Sequence, residues 1–108
     1  MKQSNEPNLE AVRKYARNLN QEEPRDPEVE LAGFPLAARC LDKCRATLLG
    51  IQADFQYNCP MDQRFLSAAG LDAEEFKSFV ATGASDEDVE QWISQRAKPA
   101  RRNRAMAH

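Results

Sequence analysis

Apolar residues recur at helical spacing in five stretches of this chain, separated by Pro, Gly and clusters of charge. The first is "NLEAVRKYARNL", where Leu9, Val12, Ala16 and Leu19 predict a short amphipathic helix over residues 8–19. "NQEEPRDP" follows, two prolines and four charged residues in eight positions, and reads as a linker. The first helix is therefore expected to be loosely attached, or to dock on a partner. The longest pattern runs from about Glu28 to Leu49, with an interruption at Gly33–Phe34–Pro35, because proline lacks a donor and restricts the residue before it. Gly50 is its C-terminal cap.

Between Ala53 and Cys59 the apolar positions alternate, which predicts a short extended connector with one side on the core. From Pro60 the signals are those of short helices. Pro60 suits a first helical position, and Gly70 ends that helix. Asp72 with Glu75, and Ser85 with Asp88, form capping pairs that open two more helices, divided by Gly83. The last carries Val89, Trp92 and Ile93. Three short helices joined by brief turns have to pack at steep angles. The prediction is an all-α, compact bundle of about five helices, divided into an N-terminal helix and linker (1–23), a helical domain (24–96) and a basic, disordered tail (97–108).

Composition agrees with helices: 42% of the 108 residues are hydrophobic, and β-branched types are scarce. One core is the natural number for this length. The formal net charge of −2 is unevenly spread, because Arg96, Lys98, Arg101, Arg102 and Arg104 all follow the last acid, Glu90. An acidic body repels nucleic acid, which leaves Arg101, Arg102 and Arg104 as the residues through which any such contact would run. No apolar run approaches a membrane span and the start lacks an apolar leader, so a cytoplasmic location is expected. Three cysteines, an odd number, fit reduced thiols.

On a helical wheel, Ala37, Cys40, Leu41, Cys44 and Leu48 share one arc, while Arg39, Asp42, Lys43 and Ala46 lie opposite and are expected to face solvent. Arg45 falls between Leu41 and Leu49, so it has to snorkel outward or meet a carboxylate inside; Asp62 is the expected partner. In "QYNCPMDQRF", Cys59 stands at the N-cap of the helix opened by Pro60, with Asp62 placed to reach back to its amide. That arrangement is explained by capping alone. A thiol at a helix N-terminus also meets the positive end of the dipole, which makes Cys59 a candidate nucleophile or redox group. The only histidine is His108, so Tyr57, Asp62 or Lys43 would have to handle the proton. Arg39, Lys43 and the helix start at Pro60 could instead converge on an anion. The spacing of Cys40, Cys44 and Cys59 is none of the usual zinc patterns, and neither a metal nor another cofactor is expected.

"ARCLDKCRA" followed by "YNCPMD" resembles a family of small bacterial proteins defined as a domain of unknown function, marked by an R-x-x-D-K-x-R-A helix and a Y-x-C-P-x-D segment. The resemblance extends from about Pro24 to Ile93. It falls on Arg39, Asp42, Lys43, Arg45, Tyr57, Cys59, Pro60, Asp62, Gly70 and Gly83, and it implies no established activity. Two functions are expected of these residues. The first is a module that binds a protein partner or a small anionic ligand through Arg39, Asp42, Lys43 and Arg45 near the Tyr57–Asp62 turn. The second is a cofactor-independent enzyme or thiol redox protein using Cys59, Tyr57 and Asp62. With about 70 residues in the main domain, a homodimer that buries spare surface is also expected.

Overall fold

Most helix boundaries follow from their caps. Asp72 accepts from the Glu74 and Glu75 amides, both at 3.0 Å, and Ser85 and Asp88 close a reciprocal capping box at 3.1 Å in each direction. The computed structural model describes residues 6–97. Among them are five helices, α1 (Leu9–Tyr15), α2 (Ala37–Leu49), α3 (Pro60–Ala69), α4 (Ala73–Val80) and α5 (Asp86–Arg96). No strand is present among the described residues, only an isolated bridge between Leu31 and Phe34. The fold is all-α, as the sequence predicts. The basic tail lies outside the described residues, apart from Ala97.

The core gathers Leu41 and Cys44 of α2, Phe65 and Leu66 of α3, Phe76 and Val80 of α4, and Val89 and Ile93 of α5. A run of ring contacts crosses it. Phe65 meets Phe34 and Phe76 edge to face at 5.8 and 5.9 Å, and Phe76 meets Trp92 at 5.9 Å.

Three predicted elements differ from what forms. The main helix begins at Ala37, not near Glu28: Ala32, Gly33 and Leu36 all adopt left-handed backbone, and Pro35 supplies no donor. Residues 28–36 instead make turns, pinned by the Ala32 amide on Glu90 Oε2 at 2.9 Å and the Leu36 amide on the Pro27 carbonyl at 2.8 Å. The connector before Cys59 is extended only in part. Positive φ at Ala53 and Asn58 turns it twice; Ala53 is exposed, against expectation, and the alternation holds only from Phe55, with Phe55, Tyr57 and Cys59 half-buried and Gln56 and Asn58 exposed. The first helix ends at Tyr15, and Leu19 reaches the interior from a turn beyond it.

Far from hanging loose, α1 packs on α2 with Val12 fully buried. The Asn8 amide donates to the Ala81 carbonyl at 2.7 Å. At Gly83, whose φ is +95°, a methyl group would run into the Ala11 side chain, so glycine is what lets the two backbones approach. Downstream, the Leu19 amide donates to the Ile51 carbonyl at 3.0 Å, and the chain then passes over the arc of α2 that the wheel assigns to solvent. Asp42 lies under that stretch and is 1% exposed, whereas Lys43, 4% exposed, is closed in by Cys59 and Asp62.

Candidate functional site

Two charged clusters flank α2, set apart by helix geometry. At about 100° per residue, Lys43 and Arg45 point roughly 160° away from each other. They cannot serve the same carboxylate. The carboxylate on the Lys43 flank is Asp62, held on the first turn of α3, with Lys43 Nζ at 3.0 Å from Oδ1. The expected Arg45–Asp62 pair is thus replaced by Lys43–Asp62, and the partner of Arg45 is Asp86, at 3.0 Å from Nη1.

On the Lys43 flank, Asp62 Oδ2 accepts from the Asn58 amide at 2.8 Å, one residue earlier than the expected Cys59 amide. The left-handed φ of Asn58 turns its N–H toward the carboxylate. Lys43 Nζ also donates to Cys59 Sγ at 3.2 Å. Burial opposes ionisation of this thiol, but the Asp62 amide and then the Lys43 ammonium outweigh it, so the Cys59 pKa lies below its ordinary 9.0. The other two thiols behave oppositely: burial pushes Cys40 and Cys44 far above the ordinary thiol range. Tyr57 donates its hydroxyl to the Ala73 carbonyl at 2.7 Å and stacks on Phe76. Burial, followed by the charges of nearby groups, drives its phenol well above the usual range. Tyr57 and Asn58 also line a shallow cavity of about 350 Å³ with Thr47, Gln52, Glu74 and Lys77.

On the Arg45 flank lies a second cleft, of about 360 Å³, lined by Tyr15, Arg17, Arg25, Asp42, Arg45, Ser85, Asp86 and Glu87. Arg25 knots it together. Its backbone amide and Nε both reach Asp42 Oδ2, at 2.8 and 3.0 Å, Nη2 reaches Oδ1 at 2.9 Å, and Nη1 reaches Asp86 at 2.8 Å. Arg45 divides its donors between Asp86 and the Ala84 carbonyl, the latter at 2.9 Å, and its guanidinium carbon sits 5.2 Å from the Tyr15 ring centroid. Of its three nitrogens, Nε is buried and has no acceptor among the described residues. Arg17 stands at the rim, with Nε 3.7 Å from Asp42 and Nη1 on the Glu23 carbonyl at 3.0 Å.

Of the predicted site residues, then, Lys43, Tyr57, Cys59 and Asp62 gather on one side of α2, whereas Asp42 and Arg45 line the cleft on the other. Arg39 lines neither cavity described; it donates to the Arg25 carbonyl at 3.2 Å and lies over Phe55. Sequence reasoning missed Tyr15, Arg17, Arg25 and Asp86. For Asp86 a partial signal existed, since Ser85 and Asp88 complete the cap of α5 and leave the two acids between them, Asp86 and Glu87, free for a cation. Arg25, between two prolines, looked like part of a spacer. Among the described residues, no three His, Cys, Asp or Glu side chains converge as a metal site requires.

The chain is thus a small all-α protein organised around a helix in which Asp42, Lys43 and Arg45 are buried and paired. Residues 21–108 match the family described as Domain of unknown function (DUF5069), and the chain belongs to that family. No curated protein matches it. No helix among the described residues is long and apolar enough to cross a membrane.

Proposed function

We propose that this protein is a non-catalytic module that binds a small ligand through an anionic group, and that the ligand sits in the Tyr15/Arg17/Arg45 cleft rather than beside the Tyr57–Asp62 turn. A single observation carries this reading: Arg45 is 2% exposed, lines the cleft, and keeps an Nε–H without an acceptor among the described residues. A buried donor left unpaired costs about 1–3 kcal/mol. A ligand oxygen at that N–H removes the cost and gains a charge-assisted bond. The cavity volume falls in the range of small-molecule sites, and Arg17, with 38% of its side chain exposed, supplies a second guanidinium at the rim. By contrast, Lys43 and Asp62 neutralise each other in the interior.

The test is a titration with sodium acetate at constant ionic strength, followed through the NMR signals of Arg45 Nε–H and the Tyr15 ring. A saturable shift that weakens in Arg17→Gln supports the site. Shifts no larger than those produced by chloride refute it.

One observation favours a second reading, that of a thiol-reactive protein: Cys59 is partly exposed, beside Lys43, with its pKa lowered. Asp62, salt-bridged to Lys43, and Tyr57, bonded to Ala73, are poor proton carriers, so the thiol would act by itself. Alkylation by iodoacetamide against pH decides it. A Cys59 midpoint at or above that of an unfolded thiol excludes this reading.

A further inference from the structure

We infer that the ligand selected by the Arg45 cleft is a zwitterion, an anionic group carried with a cationic amine, rather than a bare anion; this rests on the anion-binding reading above. The charge in the cleft is nearly balanced before anything binds. Asp42 is clasped by Arg25 through two guanidinium nitrogens and the backbone amide. Asp86 is shared between Arg25 and Arg45. Three guanidinium groups therefore face three carboxylates, those of Asp42, Asp86 and Glu87.

The two signs are not equally deep. The unpaired donor belongs to Arg45, which is buried, whereas the Asp86 side chain is 42% exposed and Glu87 lies open on the first turn of α5. An incoming anion satisfies Arg45 Nε but brings a third negative charge up to Asp86 and Glu87. An amine on the same molecule removes that repulsion and gains both carboxylates. The exposed Tyr15 ring provides an apolar wall for the carbons between the two ends.

Matched probes test this: β-alanine, γ-aminobutyrate and 6-aminohexanoate as zwitterions, the carboxylic acids of the same chain lengths, and the corresponding alkylamines. Dissociation constants are measured at fixed ionic strength from the Arg45 Nε–H signal and, for the amines, from the Glu87 amide signal. The best zwitterion is expected to bind about tenfold more tightly than its carboxylate counterpart, the effect of roughly one unit-charge pair in contact at about 3 Å when water screens it almost as in bulk, as it does at the exposed Asp86 and Glu87. Glu87→Gln, an exposed change that leaves the Arg25 network intact, is expected to bring that ratio down to about two- or threefold. If carboxylates bind as tightly as zwitterions in the wild type, the present inference falls and anion binding stands. If an alkylamine matches the zwitterion, the carboxylate contributes nothing and the inference likewise falls. If no probe shifts Arg45, both are overturned.

Discussion

Replacing Lys43 by methionine keeps most of the side-chain volume and removes only the charge. Lys43 and Asp62 have side chains 5% and 2% exposed and lie 3.0 Å apart, so the substitution leaves a carboxylate in the interior with the Asn58 amide as its remaining bonded donor. Breaking a buried pair in this way costs about 3–5 kcal/mol, against about 0–1 kcal/mol for an exposed pair. A domain of this size has about 5–15 kcal/mol in all. Lys43→Met should thus remove about a fifth of the stability or more, seen in urea as a midpoint lowered by about 1.5–5 M at a slope of about 1–2 kcal/mol/M. Adding Asp62→Leu takes the stranded carboxylate away. The double variant is expected to recover most of the loss, short of about 1 kcal/mol for the Asn58 N–H that no longer has an acceptor. The non-additivity of the cycle should exceed the roughly 2–4 kcal/mol recovered, because Asp62→Leu alone strands the buried Lys43 in turn and has a cost of its own. The same substitution removes the ammonium 3.2 Å from Cys59, so alkylation of that thiol at pH 7 should slow. A loss below about 1 kcal/mol for Lys43→Met, the range of an exposed pair, refutes the reasoning.

Three further outcomes are expected. Gly83→Ala meets both a φ of +95° and the Ala11 side chain, and should cost about 2 kcal/mol or more, with partial rescue by Ala11→Gly in the double variant; thermal unfolding that shows no rescue would place the damage elsewhere. Burial pushes the Asp86 carboxyl up, but bonds and charge from Arg25 and Arg45 outweigh this and hold it below its ordinary 3.8. A depressed folded value stabilises the protein above the unfolded value and is lost as pH falls through the folded one, so Asp86→Asn should lower stability at pH 7 and flatten its decline below about pH 4; an unchanged acid slope contradicts the pairing. Tyr57→Phe keeps the ring on Phe76 and loses only the bond to the Ala73 carbonyl, for about 1 kcal/mol in urea unfolding. A loss under about 0.3 kcal/mol would mean that water replaces the hydroxyl without penalty.

Local rules made the C-terminal half legible. Pro60, Gly70, Asp72, Ser85 and Asp88 act on their immediate neighbours, so their meaning survives folding. The apolar arc of α2 was legible for the same reason. Its polar arc was not, because what covers Asp42 is a segment of turns whose path no periodicity encodes, anchored by one arginine between prolines. The need for an inward carboxylate at Arg45 was legible from the wheel, but not which acid meets it. Choosing between Asp62 and Asp86 requires knowing which flank α3 and α5 occupy, and that is a property of packing rather than of spacing. The site shared this fate: Lys43, Cys59 and Asp62 come together, while the cleft behind Arg45 depends on Tyr15 and Arg17 from the predicted first helix and on Arg25 from the stretch read as linker.

The turn-rich strap from Arg17 to Pro27 also has a practical meaning. The family match starts at residue 21, in the middle of that strap, whereas Val12 and Leu19 are already inside the protein. An expression product trimmed to the matched region would strip two apolar plugs and the rim arginine at once, exposing the flank of α2 to solvent and to its own copies. Such a fragment should aggregate or pair adventitiously, and its apparent oligomeric state would describe the cut rather than the protein.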